Sequence, residues 1–323
     1  MRIVVLDGHA VNPGDLDWGP LARLAEPGGF TVHDRTPEAL VLERIGDAEA
    51  VLTNKTLLRR ETLEAAPRLR YVGVLATGYN VVDLACADER GIVVTNVPGY
   101  ATDAVAQFTL ALLLEAASRV GAHDACVHGG EWTACSDFSF FHGRLRELSG
   151  KTLGIVGYGA IGRATALVAK ALGMRVLASR TRPFEADGVV EPATFAQVLA
   201  ESDVVSLHCP LTEATRGLIG REAIARMKDG AILLNVARGP VVVEADVAEA
   251  LRSGKLAWFA ADVLSTEPPK PDNPLLSAPN CILTPHIAWA AEETRARLIA
   301  IAADNLAAWA AGRPVHAVHA EKA

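Results

Sequence analysis

Short, almost continuous runs of Val, Ile and Leu recur along the first third of the chain. These runs occupy residues 2–7, 50–54, 70–75 and 91–96. Helical stretches separate several of them, as at 61–66 and 81–90. Strands with apolar side chains on both faces are typical of parallel sheets that helices cover on both sides. The pattern therefore predicts an α/β unit built on a parallel sheet.

A long apolar stretch then interrupts this alternation. Residues 101–130 are expected to form one long helix, and because its apolar positions lie almost all the way round through 104–117, we expect it to be largely buried. Thr102 or Asp103 is suited to begin it as an N-cap. Gly129 and Gly130 are suited to end it.

A second series of apolar runs follows, again alternating with helical stretches. Its predicted strands are 152–157, 175–179, 203–208, 231–236, 258–263 and 281–286. A last helix is expected at roughly 291–311. The simplest arrangement has two α/β units joined by the long helix, with the last helix returning to the first unit.

Composition narrows the class of protein. A chain of 323 residues is long enough for about two domains. Its net charge of −7 argues against a general binder of nucleic acid or membrane surfaces, which would show a basic face. Because no run reaches about 18 apolar residues, no membrane-spanning helix is expected, and the apolar run near the N-terminus is too short for a signal peptide.

The five cysteines are odd in number, scattered, and form no CxxC pair. This usage indicates reduced thiols and a cytoplasmic location. The nearest approach to a metal cluster is His123, Cys126 and His128. Residues 123 and 126 share a helix face, but 128 lies well around from both. We expect no metal site.

Three glycines mark the end of the first strand in the second series. Gly157, Gly159 and Gly162 have the spacing GxGxxG directly after that strand and at the start of a helix. In such a turn the glycines allow a tight bend, close approach of a pyrophosphate, and close packing of helix on strand. Free N–H groups at the helix N-terminus then favour phosphate. The turn predicts a dinucleotide site; a purely structural glycine turn is the alternative.

The end of the next strand bears on which dinucleotide binds. An NAD site usually has Asp or Glu about 20 residues after the glycines, where it bonds the adenosine ribose. This chain has Ser179, Arg180 and Thr181 there. Guanidinium and hydroxyl groups bind a 2′-phosphate that a carboxylate would repel. We therefore expect NADP(H) to be preferred and NAD(H) to be possible, with a solvated basic turn as the alternative.

Three ionisable residues follow the ends of successive predicted strands. Arg238 follows one strand, Glu267 lies in the loop after the next, and His286 ends the third. Ligands of doubly wound sheets bind beyond the carboxyl ends of the strands. A single histidine in an apolar run is often only a packed residue, but an Arg, a Glu and a His on one edge favour a catalytic set.

These motifs resemble those of a known family. The glycine turn is followed by NVARG at 235–239, DVLSTEP at 262–268 and TPHIAWA at 284–290. The order and spacing resemble the D-isomer-specific 2-hydroxyacid dehydrogenases over essentially the whole chain. The opening VVLDGHAVNPGDLDW, with VLTNKT, GVLATGYNVVD and NVPGY, looks most like the glycerate dehydrogenase / hydroxypyruvate reductase branch.

The resemblance implies a Rossmann-type doubly wound parallel sheet for NAD(P) over residues 99–289. It implies a second, flavodoxin-like α/β domain for the substrate, made of residues 1–98 and 290–323. It also implies a homodimer, for which the long helix and the aromatic loop at 132–141 are suited.

The reaction implied by the resemblance is the reversible reduction of a small 2-keto acid, hydroxypyruvate or glyoxylate, to D-glycerate or glycolate with NAD(P)H. His286 would be the general acid–base. Glu267 would hydrogen-bond the imidazole and fix its orientation. Arg238 would hold the carboxylate and the carbonyl oxygen of the substrate.

The resemblance also implies further contacts. Those to the cofactor would come from Thr102, Ala160, Ile161, Cys209, Pro210, Thr215, Ala237, Asp262 and Ala288. Asp262 and the Ala237 carbonyl would bind the carboxamide. Backbone N–H groups of Thr77 and Gly78 would receive the substrate carboxylate. Lys55 would reach the far end of the substrate or lie solvated, and Trp289 would wall the substrate pocket or serve only in packing.

Two other functions stay open at this point. One is another D-2-hydroxyacid dehydrogenase, of the D-lactate or phosphoglycerate type, although Lys55 is the only evident extra cation for a phosphorylated substrate. The other is a non-catalytic, nucleotide-sensing protein on the same fold. A sensor would not need the Arg238, Glu267 and His286 set.

Overall fold

A computed structural model describes residues 1–320 of the chain. Its strands are β1 (Ile3–Val5), β2 (Phe30–Val32), β3 (Ala50–Thr53), β4 (Tyr71–Val74), β5 (Val93–Thr95), β6 (Thr152–Val156), β7 (Arg175–Ser179), β8 (Glu191–Pro192), β9 (Val204–Leu207), β10 (Ala231–Asn235), β11 (Leu256–Ala261), β12 (Cys281–Leu283) and β13 (Ala317–Val318).

The helices alternate with these strands. They are α1 (Gly19–Ala22), α2 (Val41–Ile45), α3 (Arg60–Ala65), α4 (Leu84–Glu89), α5 (Thr102–Ser118), α6 (Val120–His128), α7 (Ala160–Ala171), α8 (Phe195–Glu201), α9 (Arg221–Arg226), α10 (Glu244–Arg252) and α11 (Glu292–Ala310). Single 3-10 turns are present at Gly8–Ala10, Glu38–Leu40 and Gly239–Val241.

The chain forms two compact units. One is Met1–Ala101 together with the chain from Trp289 onward, and the other is Thr102–Ala288. The last helix, α11, therefore belongs to the first unit although it lies near the C-terminus.

The first unit is built on a sheet with the strand order β13-β5-β4-β3-β1-β2. All neighbours are parallel except β13, which pairs antiparallel with β5 at the edge. Every residue of β1, β3 and β4 is buried, as near-continuous apolar strands in the middle of such a sheet require. Trp309 of α11 packs on Tyr71 of β4 with ring centroids 5.1 Å apart.

The second unit is built on an all-parallel sheet with the order β12-β11-β10-β9-β6-β7-β8. From β8 to β11 this is the 3-2-1-4-5-6 order of the dinucleotide-binding fold. The direction of winding reverses between β6 and β9, which is where such sheets bind ligands. The predicted fold class, two parallel α/β domains of which one is Rossmann-type, is confirmed.

Each predicted strand overlaps an observed one, but three short edge strands were not predicted. These are β2, β8 and β13, with three, two and two residues. Their residues, FTV, EP and AV, form no apolar run of the kind that marks the other strands.

The prediction of one long helix over 101–130 was wrong. The structure has two helices, α5 and α6, bent by 59° at Arg119, whose backbone is left-handed with φ 55°. The side chain of Glu115 accepts a hydrogen bond from Gly121 N across this break. Burial also differs, since α5 has eight buried residues and α6 has none.

Within the described residues, no single helix is long and apolar enough to cross a membrane. The bent pair α5 and α6 passes that test together, by length and composition only.

Candidate active site

The glycine turn lies at the end of β6, next to the point where the winding of the sheet reverses. Gly157 has φ 96°, and a Cβ there would lie 2.4 Å from Cys209 N. A Cβ on Gly162 would lie 2.9 Å from Gly157 O, so the third glycine lets α7 pack on the turn. Both positions therefore exclude a side chain.

Gly159 differs from the other two because nothing lies within 4 Å of the place its Cβ would take. It is the N-cap of α7 and provides no side-chain hydrogen bond to the first turn. Among the described residues, no side chain accepts from the first N–H groups of this helix of twelve residues, and these groups have no partner within the helix. An anionic pyrophosphate fits this arrangement, because the helix dipole and the N–H groups both favour negative charge.

A cleft of about 520 Å³ opens beside the glycine turn. Eight of the predicted cofactor residues line it: Gly157, Gly159, Ser179, Arg180, Thr181, Cys209, Pro210 and Thr215. Tyr158, Thr194 and Phe195 line it too and were not predicted. Their signal in the sequence is only their position next to strand ends, since apolar and aromatic residues there have no distinctive spacing.

His208 lies at the end of β9 on the wall of this cleft. Burial lowers the pKa of its imidazole to about 4, so the ring is neutral at pH 7. Its Nε2 lies 2.8 Å from the Ser206 hydroxyl. This histidine therefore offers hydrogen bonding and apolar surface to a ligand at neutral pH, but no charge.

The turn after β7 is shaped by its own arginine. Arg180 Nε donates to the Arg182 carbonyl at 2.8 Å and Nη2 donates to the Pro183 carbonyl at 3.2 Å. The guanidinium carbon lies 4.9 Å from the centre of the Phe184 ring. These contacts use two of the five N–H donors and hold the planar group in one orientation.

Arg238 begins the turn after β10 in extended backbone conformation. The fully buried Asn235 shapes this turn, because its side chain accepts from Ala237 N at 3.1 Å and donates to Arg238 O at 3.0 Å. The side chain of Arg238 is exposed, and its Nη1 donates to Ala237 O at 2.7 Å. The Ala237 carbonyl is thus already bonded to a protein donor in this structure.

His286 and Glu267 form a hydrogen-bonded pair. His286 Nδ1 lies 2.7 Å from Glu267 Oε2, and the side chains are 29% and 38% exposed, so the pair is reachable from solvent. The other carboxylate oxygen of Glu267 accepts from Leu264 N at 3.0 Å. Glu267 is therefore held by its own loop while it orients the imidazole.

Asp262 is 1% exposed and supports the turn that carries His286. Its Oδ1 accepts from the Thr284 hydroxyl at 2.7 Å and from Ile287 N at 2.9 Å, and its Oδ2 accepts from Ala288 N at 2.8 Å. His286 itself has φ 55°, a left-handed backbone that side chains rarely adopt. These three hydrogen bonds fix the chain before and after His286, which explains how this conformation persists.

Two residues that were not predicted brace the neighbouring loop. Gly239 lets the Arg238 turn touch the loop that carries Glu267, since a Cβ there would lie 1.9 Å from the Leu264 carbonyl carbon. Glu244, the first residue of α10, accepts from Ser265 N, the Ser265 hydroxyl and Asn273 Nδ2 at 2.7–2.9 Å. These contacts join residues that are 21 or more apart in sequence, so no local sequence pattern predicts them.

Arg238, Glu267 and His286 thus come from one edge of the second unit. They follow β10, β11 and β12, which are adjacent and parallel in the sheet. Of the other predicted residues in this unit, Thr102 begins α5, Ala160 and Ile161 open α7, and Ala288 is buried under the His286 turn.

The first unit holds the remaining predicted residues at the ends of adjacent strands. Lys55 follows β3 and is exposed, and Asp7 accepts hydrogen bonds from the backbone N–H groups of Asn54, Lys55 and Thr56 at 2.5–2.7 Å. Asn54 Nδ2 donates to Leu75 O at 2.6 Å and so ties this loop to the end of β4.

Thr77 and Gly78 follow β4. The Thr77 hydroxyl donates to Val97 O at 2.9 Å, and Asn96 Nδ2 donates to Thr77 O at 2.7 Å. Among the described residues, no acceptor bonds the N–H of Thr77 or Gly78. Trp289, also in this unit, is partly buried.

A family profile and two similar proteins both support the family that the sequence motifs resemble. Residues 110–288 match the family profile described as D-isomer specific 2-hydroxyacid dehydrogenase, NAD binding domain. The chain is 51% identical to hydroxypyruvate reductase of Blautia hydrogenotrophica, over 99% of this chain and 100% of that protein. It is 41% identical to glycerate dehydrogenase of Methylorubrum extorquens, over 88% and 90%.

A solved structure is similar over nearly the whole length. It is the NADPH-dependent glyoxylate/hydroxypyruvate reductase of Sinorhizobium meliloti in complex with NADP and malonate, with a TM-score of 0.83 and 30% identity over 98% of this chain and 96% of that one. The chain belongs to the D-isomer specific 2-hydroxyacid dehydrogenase family, in its glycerate dehydrogenase / hydroxypyruvate reductase branch, and is an oxidoreductase that uses a nicotinamide dinucleotide.

Proposed function

We propose that this protein reduces a small 2-keto acid, hydroxypyruvate or glyoxylate, to D-glycerate or glycolate with NADPH, reversibly. The observation that carries the proposal is the hydrogen-bonded pair of His286 and Glu267 on the same sheet edge as the glycine turn. The printed activities of the relatives from Blautia hydrogenotrophica and Methylorubrum extorquens support the substrate class.

His286 acts as the proton donor in reduction. Its Nδ1 is paired with Glu267, so Nε2 is the nitrogen that exchanges a proton with the substrate oxygen. Through this hydrogen bond, Glu267 holds the imidazole in one orientation. In the oxidation direction, His286 takes the proton back.

Arg238 holds the carboxylate and the carbonyl oxygen of the keto acid. A planar guanidinium can donate to two oxygens at once, which polarises the carbonyl and fixes its orientation. When bound, the nicotinamide supplies the hydride. The chain's task is thus to orient the substrate and to deliver one proton.

We base the proposed preference for NADP(H) over NAD(H) on Arg180. This residue lines the cleft, its guanidinium is held over Phe184, and it occupies the sequence position where NAD enzymes have an acid. The reductase from Sinorhizobium meliloti, whose structure contains NADP, supports this assignment.

For the substrate we propose a domain made of residues 1–98 and 290–323, with residues 99–289 as the cofactor domain. The backbone N–H groups of Thr77 and Gly78 receive a carboxylate, because they point to no described protein acceptor. Lys55 adds a positive charge at the end of the neighbouring strand.

The test is a matrix of initial rates. Hydroxypyruvate, glyoxylate, pyruvate and 3-phosphohydroxypyruvate would each be assayed with NADH and with NADPH. We expect the highest kcat/KM for hydroxypyruvate or glyoxylate with NADPH. A value at least tenfold higher with NADH would refute the cofactor preference.

Arg180→Ala sharpens that test. Loss of the guanidinium should lower kcat/KM for NADPH by about tenfold or more and leave the NADH value nearly unchanged. The best rate on pyruvate would instead assign the D-lactate type, and the best rate on 3-phosphohydroxypyruvate the phosphoglycerate type. Dinucleotide binding without turnover of any keto acid would favour a nucleotide-sensing protein.

We also propose a homodimer in the cytoplasm. The helix α6 and the segment after it expose large apolar side chains, with Val120 66%, Trp132 52%, Phe138 91% and Phe141 71% exposed. A surface of this kind is suited to a second copy of the chain. Sedimentation as a 34.1 kDa species at all concentrations would contradict the dimer.

A further inference from the structure

A mixed cluster of metal-binding side chains lies outside the active-site edge, where α6 ends. Cys126, Glu131 and His142 each have one possible ligand atom within 4.8 Å of the other two. It shares only Cys126 with the set of His123, Cys126 and His128, for which the sequence analysis expected no metal site. Glu131 and His142 lie 5 and 16 residues beyond Cys126, so helical spacing alone does not group them.

The end of α6 brings Glu131 beside Cys126. Gly130 has φ 88°, and the chain reverses there so that Glu131 N donates to Cys126 O at 3.1 Å and Gly130 N donates to Val127 O at 3.0 Å. This is the Schellman type of helix end, which needs a left-handed residue. The thiol then hydrogen-bonds the carboxylate of Glu131, which raises the pKa of Cys126.

His142 returns to the same place from the following segment. Its Nε2 lies 2.5 Å from Glu131 Oε2. Its backbone N donates to His123 Nε2 at 3.1 Å, and His123 Nδ1 lies 2.8 Å from Arg119 O. His123 thus ties the backbone of residue 142 to the start of α6.

We infer that Cys126, Glu131 and His142 form a binding site for a divalent transition metal of the Zn²⁺ type. Thiolate, imidazole and carboxylate are the three ligand types that Zn²⁺ takes from proteins. Tetrahedral Zn²⁺ places its ligand atoms roughly 3.3–3.8 Å apart, given bonds of about 2.0–2.3 Å, so side-chain shifts of about 1 Å would close the set. Water would fill the fourth position, and the thiol proton would leave to solvent on binding.

Such a metal would link the end of α6 to residue 142, across a stretch without regular helix or strand. The link lies in the same segment as the exposed Trp132, Phe138 and Phe141. Its effect would be to restrict this loop, and it takes no part in the chemistry proposed for His286.

The test uses tag-free, full-length protein treated with a chelator and then titrated with Zn²⁺ by calorimetry, and with Co²⁺ by absorption spectroscopy. We expect one ion per chain, and a sulfur-to-cobalt charge-transfer band that shows thiolate ligation. Cys126→Ser, Glu131→Gln and His142→Gln should each weaken Zn²⁺ binding by at least about a hundredfold, since loss of an outer partner alone costs 10–100-fold. His123→Ala, which removes only a bond to the backbone of residue 142, should weaken it by less than about tenfold.

Two controls locate the ion. Cys135→Ser changes a cysteine of the same segment, whose thiol contacts Ser139 O instead, and should retain full Zn²⁺ affinity. His286→Gln should retain it also, whereas an ion at the active site would be lost in that variant. Equal Zn²⁺ affinity in wild type and Cys126→Ser, a loss in either control, or a Co²⁺ spectrum without the sulfur band would overturn the inference.

Discussion

The two units present functional groups at the carboxyl ends of their strands in different ways. In the second unit the edge carries ionisable side chains, Arg238, Glu267 and His286. In the first unit the edge carries the backbone N–H groups of Thr77 and Gly78. At each edge, nevertheless, one carboxylate accepts hydrogen bonds from several backbone N–H groups.

These two carboxylates are Asp262 and Asp7. Asp262 accepts from the N–H groups of Ile287 and Ala288 and from a hydroxyl, and Asp7 accepts from three consecutive N–H groups. Because Asp262 supports the turn of His286, the proposed general acid, its loss should slow the chemical step. Because Asp7 supports the loop of Lys55, its loss should weaken substrate binding.

The largest effect is expected from His286→Gln. Loss of the proton donor should lower kcat by about 10²–10⁴-fold, with the dissociation constant of NADPH nearly unchanged. Steady-state kinetics and fluorescence titration with NADPH would measure both. His319→Gln, an exposed histidine bonded to Asp88 in the first unit, is the matched control. Near-full activity of His286→Gln on every keto acid would refute the assigned mechanism.

The second largest effect on activity is expected from Arg238→Ala. Loss of the guanidinium removes both the anchor of the carboxylate and the polarisation of the carbonyl, so we expect kcat to fall and KM to rise, with kcat/KM down by about 10²–10³-fold. Arg238→Lys keeps the charge but lacks the planar group that donates to two oxygens at once. It should restore part of the substrate affinity but little of kcat. An unchanged KM in Arg238→Ala would show that the carboxylate is held elsewhere.

Asp262→Asn tests whether the buried carboxylate positions His286. An amide offers one acceptor oxygen where the carboxylate offers two, so at least one bond to the turn is lost. We expect kcat to fall by about 10–100-fold, because small displacements of a catalytic group have effects of that size. If the KM for NADPH rises while kcat is retained, Asp262 instead serves the carboxamide of the cofactor, as the family resemblance implies.

Asp7→Asn makes the corresponding change in the first unit. We expect a rise in the KM for hydroxypyruvate of up to about tenfold, about 1.4 kcal/mol, with a much smaller change in kcat. Asp17→Asn is the control, since Asp17 is an exposed carboxylate that accepts from Gly19 N. A fall in kcat as large as that of Asp262→Asn would mean that the two edges do not differ in the way described above.

The smallest expected effect is on the free energy of unfolding. It concerns His208, which is buried, and not His286 of the proposed catalytic set. Because burial lowers the pKa of His208 to about 4, the unfolded chain binds a proton there at a higher pH than the folded protein does. This part of the stability is present above about pH 6.5 and is lost as the pH falls toward 4.

We expect a loss of order 1 kcal/mol from this group between pH 7 and pH 5. Urea unfolding of wild type and His208→Gln at both pH values would measure it. The variant should lose less stability than wild type over this interval, and an equal loss would show that His208 is not the source.

How much the sequence could predict differs between features. Apolar runs predicted the strands because full burial requires apolar side chains on both faces, and the predicted parallel sheets are present. The break at Arg119 could not be predicted, because arginine is a good helix former and its left-handed backbone is set by surrounding contacts. The expectation that the helix is largely buried rested on residues 104–117, which lie in α5, and it does not hold for α6.

In the candidate site, too, the local features could be predicted and the contacts between distant residues could not. The spacing of Gly157, Gly159 and Gly162 is local, and the space around each is what the motif requires. The contact of Gly239 with Leu264, and the support that Glu244 gives to Ser265, join distant residues and leave no local pattern.

By itself, the sequence determined the alternation of strands and helices, the glycine turn, and the residue types that follow β10, β11 and β12. These are local properties, since burial periodicity and turn chemistry act over a few residues. Only the tertiary structure decided that Asp262 supports the His286 turn, that Glu267 reaches Nδ1, and that Cys126, Glu131 and His142 meet. Such contacts depend on which loops the sheet order brings together, and hydrogen bonds between distant residues form only after the chain has packed.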